Sequence, residues 1–264
     1  MNDGVQGSAP DRRAPSGTHV RRTAAVLWLV LAAATPGSLH ADEVRVAAAA
    51  NFAFAAREIG ELFEEASGHE ALLSFGSSGQ LYAQIAQGAP FDVFLAADRS
   101  YPRRAVRDGL AVADSAFTYA TGRLVLFSAD PDLVDGRAGL EEREFRRLAI
   151  ANPELAPYGA AAVEVLEALG LANRLQARLV RGNNVAQTYQ FVVTGNAELG
   201  FVALAQVIGH QRGSRWIVPS ELHSPIAQDA VLLRRGASRE AASAFLAFLR
   251  SDAAAAVLVR YGYE

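Results

Sequence analysis

Four short segments of the 264-residue chain place uncharged hydrogen-bond donors where a strand-like run gives way to a helix-like run. They are Ala49-Ala50-Asn51, Gly76-Ser77-Ser78-Gly79, Ala156-Pro157-Tyr158-Gly159 and Asn183-Asn184-Val185. At such a junction the first backbone N–H groups of the helix have no intrahelical acceptor, and the positive end of the helix dipole faces outward. None of the four carries Arg or a carboxylate at its tip, so a pocket built from them is neutral and rich in donors. That suits a fully deprotonated oxyanion held by directed hydrogen bonds rather than by ion pairs. Singly, each segment is also an ordinary cap or tight turn, with Asn51 read as the cap of the first helix. Convergence would turn them into a site, and convergence requires a fold.

Other chemistries are excluded by composition. Cysteine is absent, which removes disulfides, thiolate nucleophiles, Cys-ligated zinc and lipid attachment to an N-terminal Cys. All 25 basic residues are Arg, so Schiff-base chemistry and a P-loop Lys are excluded. The formal charge of −3 gives no basic footprint for nucleic acid. His69, His210 and His223 are far apart and form no metal-ligand pattern. No nucleophile elbow, P-loop or dinucleotide fingerprint is present. Asp92 and Asp98 flank one strand end; a structural or helix-capping role is expected, since negative charge would oppose an anion site. Phe52, Phe54 and Phe63 are expected in the core, and Glu61, Glu64 and Glu65 on a solvated helix face. No cofactor is implied, and the chain is read as a binding protein rather than an enzyme.

The elements that position the four turns alternate. Strands are expected at 44–49, 71–75, 93–96, 148–151, 199–202, 216–218 and 226–233, with another ending at Leu179-Val180 and a longer stretch, Tyr119 to Ser128, interrupted by Gly122. Between them lie helical patterns. One carries Ala55, Ala56, Ile59 and Phe63 and ends at Gly68. Another opens with the S-x-x-Q spacing of Ser77 and Gln80, a capping box. A third runs from Tyr158 to Leu169 between Pro157 and Gly170. Asp98 is expected to cap a further helix, one runs into His210, and Ser238 is expected to cap a final one bearing Phe245, Leu246 and Leu249. With 51% hydrophobic and 20% charged residues, the chain can bury a sizeable core. The alternation predicts an α/β fold with parallel-rich sheets flanked by helices, arranged as two lobes in one unit.

Residues 1–41 read as a secretory leader. Arg21-Arg22 precede an apolar run from Ala24 to Ala34, and Ala41 supplies the small residue at the cut. The run is shorter than the roughly 20 residues a membrane span needs. Arg12-Arg13 and Arg21-Arg22 leave the general secretory and twin-arginine routes open. Loss of four Arg and two Asp would leave a mature charge of −5. The mature chain is expected outside the cytoplasm, unanchored and monomeric.

Three segments, Val46 to Phe52, Ser74 to Ile85 and Gly88 to Asp98, resemble the periplasmic molybdate-binding proteins of ABC importers, as do Ala151 to Gly159 and Glu198 to Gln206. The resemblance spans about Val44 to Tyr263. It implies the fold of the type II periplasmic binding proteins, with the ligand in a cleft between two lobes. The lobes are expected at 42–118 with 225–264, and at 119–224. It further implies molybdate or tungstate as ligand, a membrane permease as partner, and oxyanion contacts at Asn51, Ser78, Tyr158 and Val185, with Ala50 beside the first; the alternatives are a receptor for another oxyanion such as sulfate, or an enzyme using the same two-lobed fold. Ser78 would give its hydroxyl and N–H, Asn51 its amide, and Tyr158 and Val185 their backbone N–H groups. Two hydroxyls found in some members are missing: Ala50 stands in place of a Thr and Ala203 in place of a Tyr.

Overall fold

The computed structural model describes residues 42–264; the expected leader over 1–41 lies outside them. The first half of the chain runs β1 (Glu43–Ala49), α1 (Ala53–Ser67), β2 (Glu70–Gly76), α2 (Ser78–Ala86), β3 (Val93–Leu95), α3 (Ser100–Arg107), β4 (Phe117–Gly122), β5 (Leu124–Ser128) and α4 (Ala138–Glu141). It continues through β6 (Leu148–Ala151), α5 (Pro157–Ala168), α6 (Ala172–Leu175), β7 (Leu179–Gly182), α7 (Val185–Val193), β8 (Leu199–Ala203) and α8 (Leu204–Val207). It closes with β9 (Ser214–Ile217), β10 (Ile226–Leu232), α9 (Glu240–Phe248) and α10 (Asp252–Arg260).

The strands form two five-stranded sheets, ordered β2-β1-β3-β10-β4 and β7-β6-β8-β5-β9. Both follow one plan. The first three strands are parallel, the fourth runs antiparallel to the third, and the fifth pairs antiparallel with the fourth. The α/β fold with two helix-flanked sheets is as expected, and the antiparallel pairs come from the strands that carry the chain between the sheets. The stretch from Tyr119 to Ser128 is two strands in different sheets, divided between Gly122 and Leu124. The return passes from β9 to β10.

Central strands are apolar on both faces, as strands covered by helices on both sides must be. Val44, Val46, Ala47 and Ala48 of β1 are fully buried, and so are Leu124, Val125 and Leu126 of β5. On α1 the stripe of Ala55, Ala56, Ile59 and Phe63 is buried, and Glu61, Glu64 and Glu65 face solvent. Phe54 corrects its expectation. It falls off that stripe and is 44% exposed, whereas Phe52 and Phe63 are in the core. Gly68 and Gly170 follow α1 and α5 with left-handed backbone, at φ 74° and 70°.

Three boundaries differ from the sequence reading. Leu179 and Val180 begin β7 rather than end a strand. The helix expected to run into His210 is only four residues long. The last helical region is two helices: α9 has no side-chain cap from Ser238, and Ser251 caps α10 by accepting the Ala254 N–H. Ala253 to Ala256 give α10 high helix propensity but almost no apolar stripe to read.

Candidate functional site

The four turns converge. Ala49, Ala50 and Asn51 follow β1; Gly76, Ser77 and Ser78 follow β2; Ala156, Pro157 and Tyr158 open α5; and Asn184 and Val185 open α7. Together with Ala97 they line one small cavity. All five residues singled out by the sequence, Ala50, Asn51, Ser78, Tyr158 and Val185, are in that lining and are buried. Among the described residues, no Asp, Glu, Arg, Lys or His lines it. The first two turns belong to the β1 sheet and the last two to the β6 sheet, so the cavity lies between the sheets.

Local chemistry explains each position. Ser77 and Gln80 form the expected capping box: Ser77 Oγ accepts the Gln80 N–H, and Gln80 Oε1 accepts the Ser77 N–H, both at 3.3 Å. The next residue, Ser78, is thereby fixed at the first position of α2. Pro157 occupies the first position of α5, with Tyr158 after it. Asn184 caps α7 by accepting the Gln187 N–H at 3.0 Å, which places Val185 at the helix start. First-turn N–H groups of three helices therefore face one small volume.

Asn51 does not cap a helix, which corrects the sequence reading. It lies in a 3-10 turn, Ala50–Phe52, and its side chain makes no cap bond. Its Nδ2 lies 2.9 Å from Gln228 Oε1 and 3.2 Å from the Tyr263 hydroxyl. The Tyr263 hydroxyl donates to the Asn51 main-chain oxygen at 2.9 Å. The Tyr119 hydroxyl lies 3.0 Å from Gln228 Oε1 and 3.3 Å from Ala96 O. The Tyr158 ring projects from the other side of the cavity toward the same group, and the amides of Gln228 and Asn51 lie beside its hydroxyl. Burial holds the Tyr158 proton well above its ordinary value, against the opposing pull of those two amides. Burial, and then Tyr158, does the same to Tyr119 and Tyr263.

Sequence reasoning missed Gln228, Tyr119 and Tyr263. A polar pair, Gln228-Asp229, inside the apolar run of β10 is the one local sign of a buried polar group. Asp92 and Asp98 are structural, as expected, though only Asp98 caps a helix, accepting the Tyr101 N–H at 2.8 Å. Asp92 is fully buried in the first sheet, accepts the Arg45 N–H, and faces Arg235 and Arg239. A wider groove beside the cavity carries Asp98, Glu154 and Glu164 and is the wrong sign for an anion. Ala203 lies outside the cavity lining; its N–H donates to Gln206 Oε1. Among the described residues, no cluster of three or more His, Asp or Glu could hold a metal ion.

The cleft is closed across its edge. Gly79 N–H at the start of α2 donates to Leu155 O at 2.9 Å, joining the two halves beside the cavity. A Cβ on Gly79 would meet the Tyr101 hydroxyl at 2.6 Å and Leu155 Cα at 3.1 Å.

Residues 44–264 match the profile of the bacterial extracellular solute-binding proteins. The chain belongs to that family. It is 51% identical to the molybdate-binding protein ModA of Rhodobacter capsulatus, over 92% of this chain and 96% of that protein. The periplasmic molybdate-binding protein of Azotobacter vinelandii superposes with a TM-score of 0.81 at 40% identity, over 84% of this chain and 98% of that one. The substrate-binding domain of a putative molybdenum ABC transporter from Clostridium difficile does so with a TM-score of 0.66 at 29% identity, over 84% and 98%. The chain is thus a solute-binding protein of the ModA group.

Proposed function

We propose that this protein captures molybdate, and tungstate with it, outside the cytoplasm and delivers it to the membrane permease of an ABC importer. The observation that carries the reading is the neutral, donor-lined cavity at which four turns meet. A dianion there would be held by the Ser78 hydroxyl and N–H, by the Asn51 amide and by the N–H groups of Tyr158 and Val185, with Ala50 packed beside Asn51. A helix N-terminus favours an anion without a counter-charge, so release needs no buried ion pair to be broken. The Thr and Tyr hydroxyls absent at Ala50 and Ala203 reduce the donors available, and the Asn51 amide takes a correspondingly larger share.

Each sheet with its helices is read as a lobe, and closure on the anion as the signal that the permease recognises. Among the described residues, Tyr158 is the one titratable group on the cavity wall; its hydroxyl faces Gln228 and burial retains its proton. That favours binding without covalent chemistry. The leader-like segment over 1–41 and the periplasmic relative support export to the periplasm, free of a lipid anchor, and the protein is taken to act as a monomer. Elemental analysis of protein purified from its native compartment tests the reading. Close to one molybdenum or tungsten per chain is expected; sulfur or phosphorus oxyanions in its place would reject the ligand assignment.

A further inference from the structure

We propose that Gln228 is a positioning residue: it decides which end of the Asn51 amide faces the anion, and Tyr158, from the other side of the cleft, holds it in place. This rests on the anion reading of the cavity. A primary amide has a donor end and an acceptor end, and only the hydrogen-bond network distinguishes them. In one arrangement Asn51 Nδ2 donates to Gln228 Oε1 and to Tyr263. Both of its protons are then directed away from the cavity, and the carbonyl end, Oδ1, is the part left for the anion. The same arrangement leaves the Tyr158 hydroxyl and Gln228 Nε2, both buried, without partners. It also asks the single Tyr119 proton to serve both Gln228 Oε1 and Ala96 O.

Turning both amides over keeps every heavy atom in place and relieves Gln228 Nε2 and Tyr119. Gln228 Nε2 then donates to Asn51 Oδ1 and to the Tyr119 oxygen, and the Tyr119 proton is free for Ala96 O. Gln228 Oε1 then sits on the Tyr158 side as an acceptor, which a small approach of the unpartnered Tyr158 O–H engages. The Tyr263 proton is shared between the Asn51 main-chain oxygen and Oδ1. Asn51 Nδ2 now faces the cavity as a donor. The two turns are linked, because two carbonyl ends or two NH₂ ends cannot face each other. Gly122 leaves the room this needs: a Cβ there would overlap both the Tyr158 hydroxyl and Gln228 Nε2. Tyr158 lies on α5 beside the second sheet and Gln228 on β10 of the first, so the lock forms only with the cleft closed.

The test compares Tyr158→Phe and the isosteric, apolar Gln228→Met with wild type, using calorimetry with molybdate and with inorganic phosphate at pH 7. Molybdate affinity falls about five- to tenfold in each variant, the scale of one hydrogen bond. Phosphate affinity falls less or rises, because an unlocked Asn51 can turn its acceptor end to the phosphate O–H. Adding Tyr158→Phe to Gln228→Met has little further effect. An unchanged molybdate-to-phosphate ratio, or two effects that simply add, would mean that the residues only pack and would overturn the inference. A second readout needs no folded Gln228 variant: the wild-type Asn51 side-chain NH₂ resonances shift and exchange more slowly on adding molybdate, while stationary resonances would overturn it. If wild type binds molybdate and these results fail, this inference alone falls; if wild type binds none, the proposed function falls first.

Discussion

The Ser78 hydroxyl accepts the backbone N–H of Ala97 at 2.9 Å. Both residues line the cavity, and Ser78 is fully buried. With a lone pair already engaged, the hydroxyl has its single proton left for a ligand, so β3 and α2 together aim one O–H into the site. Ser78→Ala therefore removes the anion's donor and strands the Ala97 N–H at once. A charge-assisted bond is worth roughly 1.5–3 kcal/mol, so molybdate affinity falls about tenfold or more. Calorimetry with an unchanged affinity and an intact fold would take Ser78 out of the site.

Closure depends on Gly79. The added Cβ of Gly79→Ala presses on Leu155 main chain as well as on Tyr101, and overpacking of this kind typically costs about 1–3 kcal/mol. The share that comes from Leu155 falls on the closed form alone, because Leu155 reaches Gly79 from the other half, whereas Tyr101 lies in Gly79's own half. X-ray scattering of wild type contracts on adding molybdate. In Gly79→Ala the contraction requires several-fold more ligand, and superimposable wild-type curves with and without ligand would refute a closing cleft.

Alkaline pH tests the buried tyrosines. Tyr119, Tyr158 and Tyr263 all keep their protons to a higher pH in the folded state than the ordinary value of 10.0. Above pH 10 the unfolded chain releases these protons and the folded chain does not, so stability present below that pH is lost as pH rises. The melting temperature is expected to fall steeply above about pH 10, and less steeply in Tyr158→Phe. Arg keeps its charge across this window, and the chain has no Lys to confuse the reading.

Much of this was legible in the sequence because capping is local. The S-x-x-Q spacing, Pro157 and Asn184 each announce a helix start within four residues, and the helix starts are the site. The same rule misplaced Asn51, since an Asn after a strand is the signal for a cap whether or not its side chain turns elsewhere. Its partner Gln228 is 177 residues away, a distance no local pattern spans. Gly122 was readable as a break in a strand-like stretch and as a crossover between lobes, because a glycine there interrupts an otherwise apolar run.

Selectivity follows from the donor-only lining. Near neutral pH phosphate carries at least one O–H, and an unmatched buried donor costs about 1–3 kcal/mol. Molybdate and tungstate are fully deprotonated and offer an acceptor to every donor. Sulfate is deprotonated too, but smaller, so some donors fall out of its reach. The expected order is molybdate and tungstate first, then sulfate, then phosphate. Competition calorimetry in which phosphate matched molybdate would reveal an acceptor in the site.

The most direct test is titration of the anion-free mature protein with molybdate at pH 7, followed by isothermal calorimetry. The account predicts saturation at one anion per chain and a rise in melting temperature that grows with ligand concentration, because the anion binds the folded state. No heat and no stabilisation from a protein with an intact fold would contradict it.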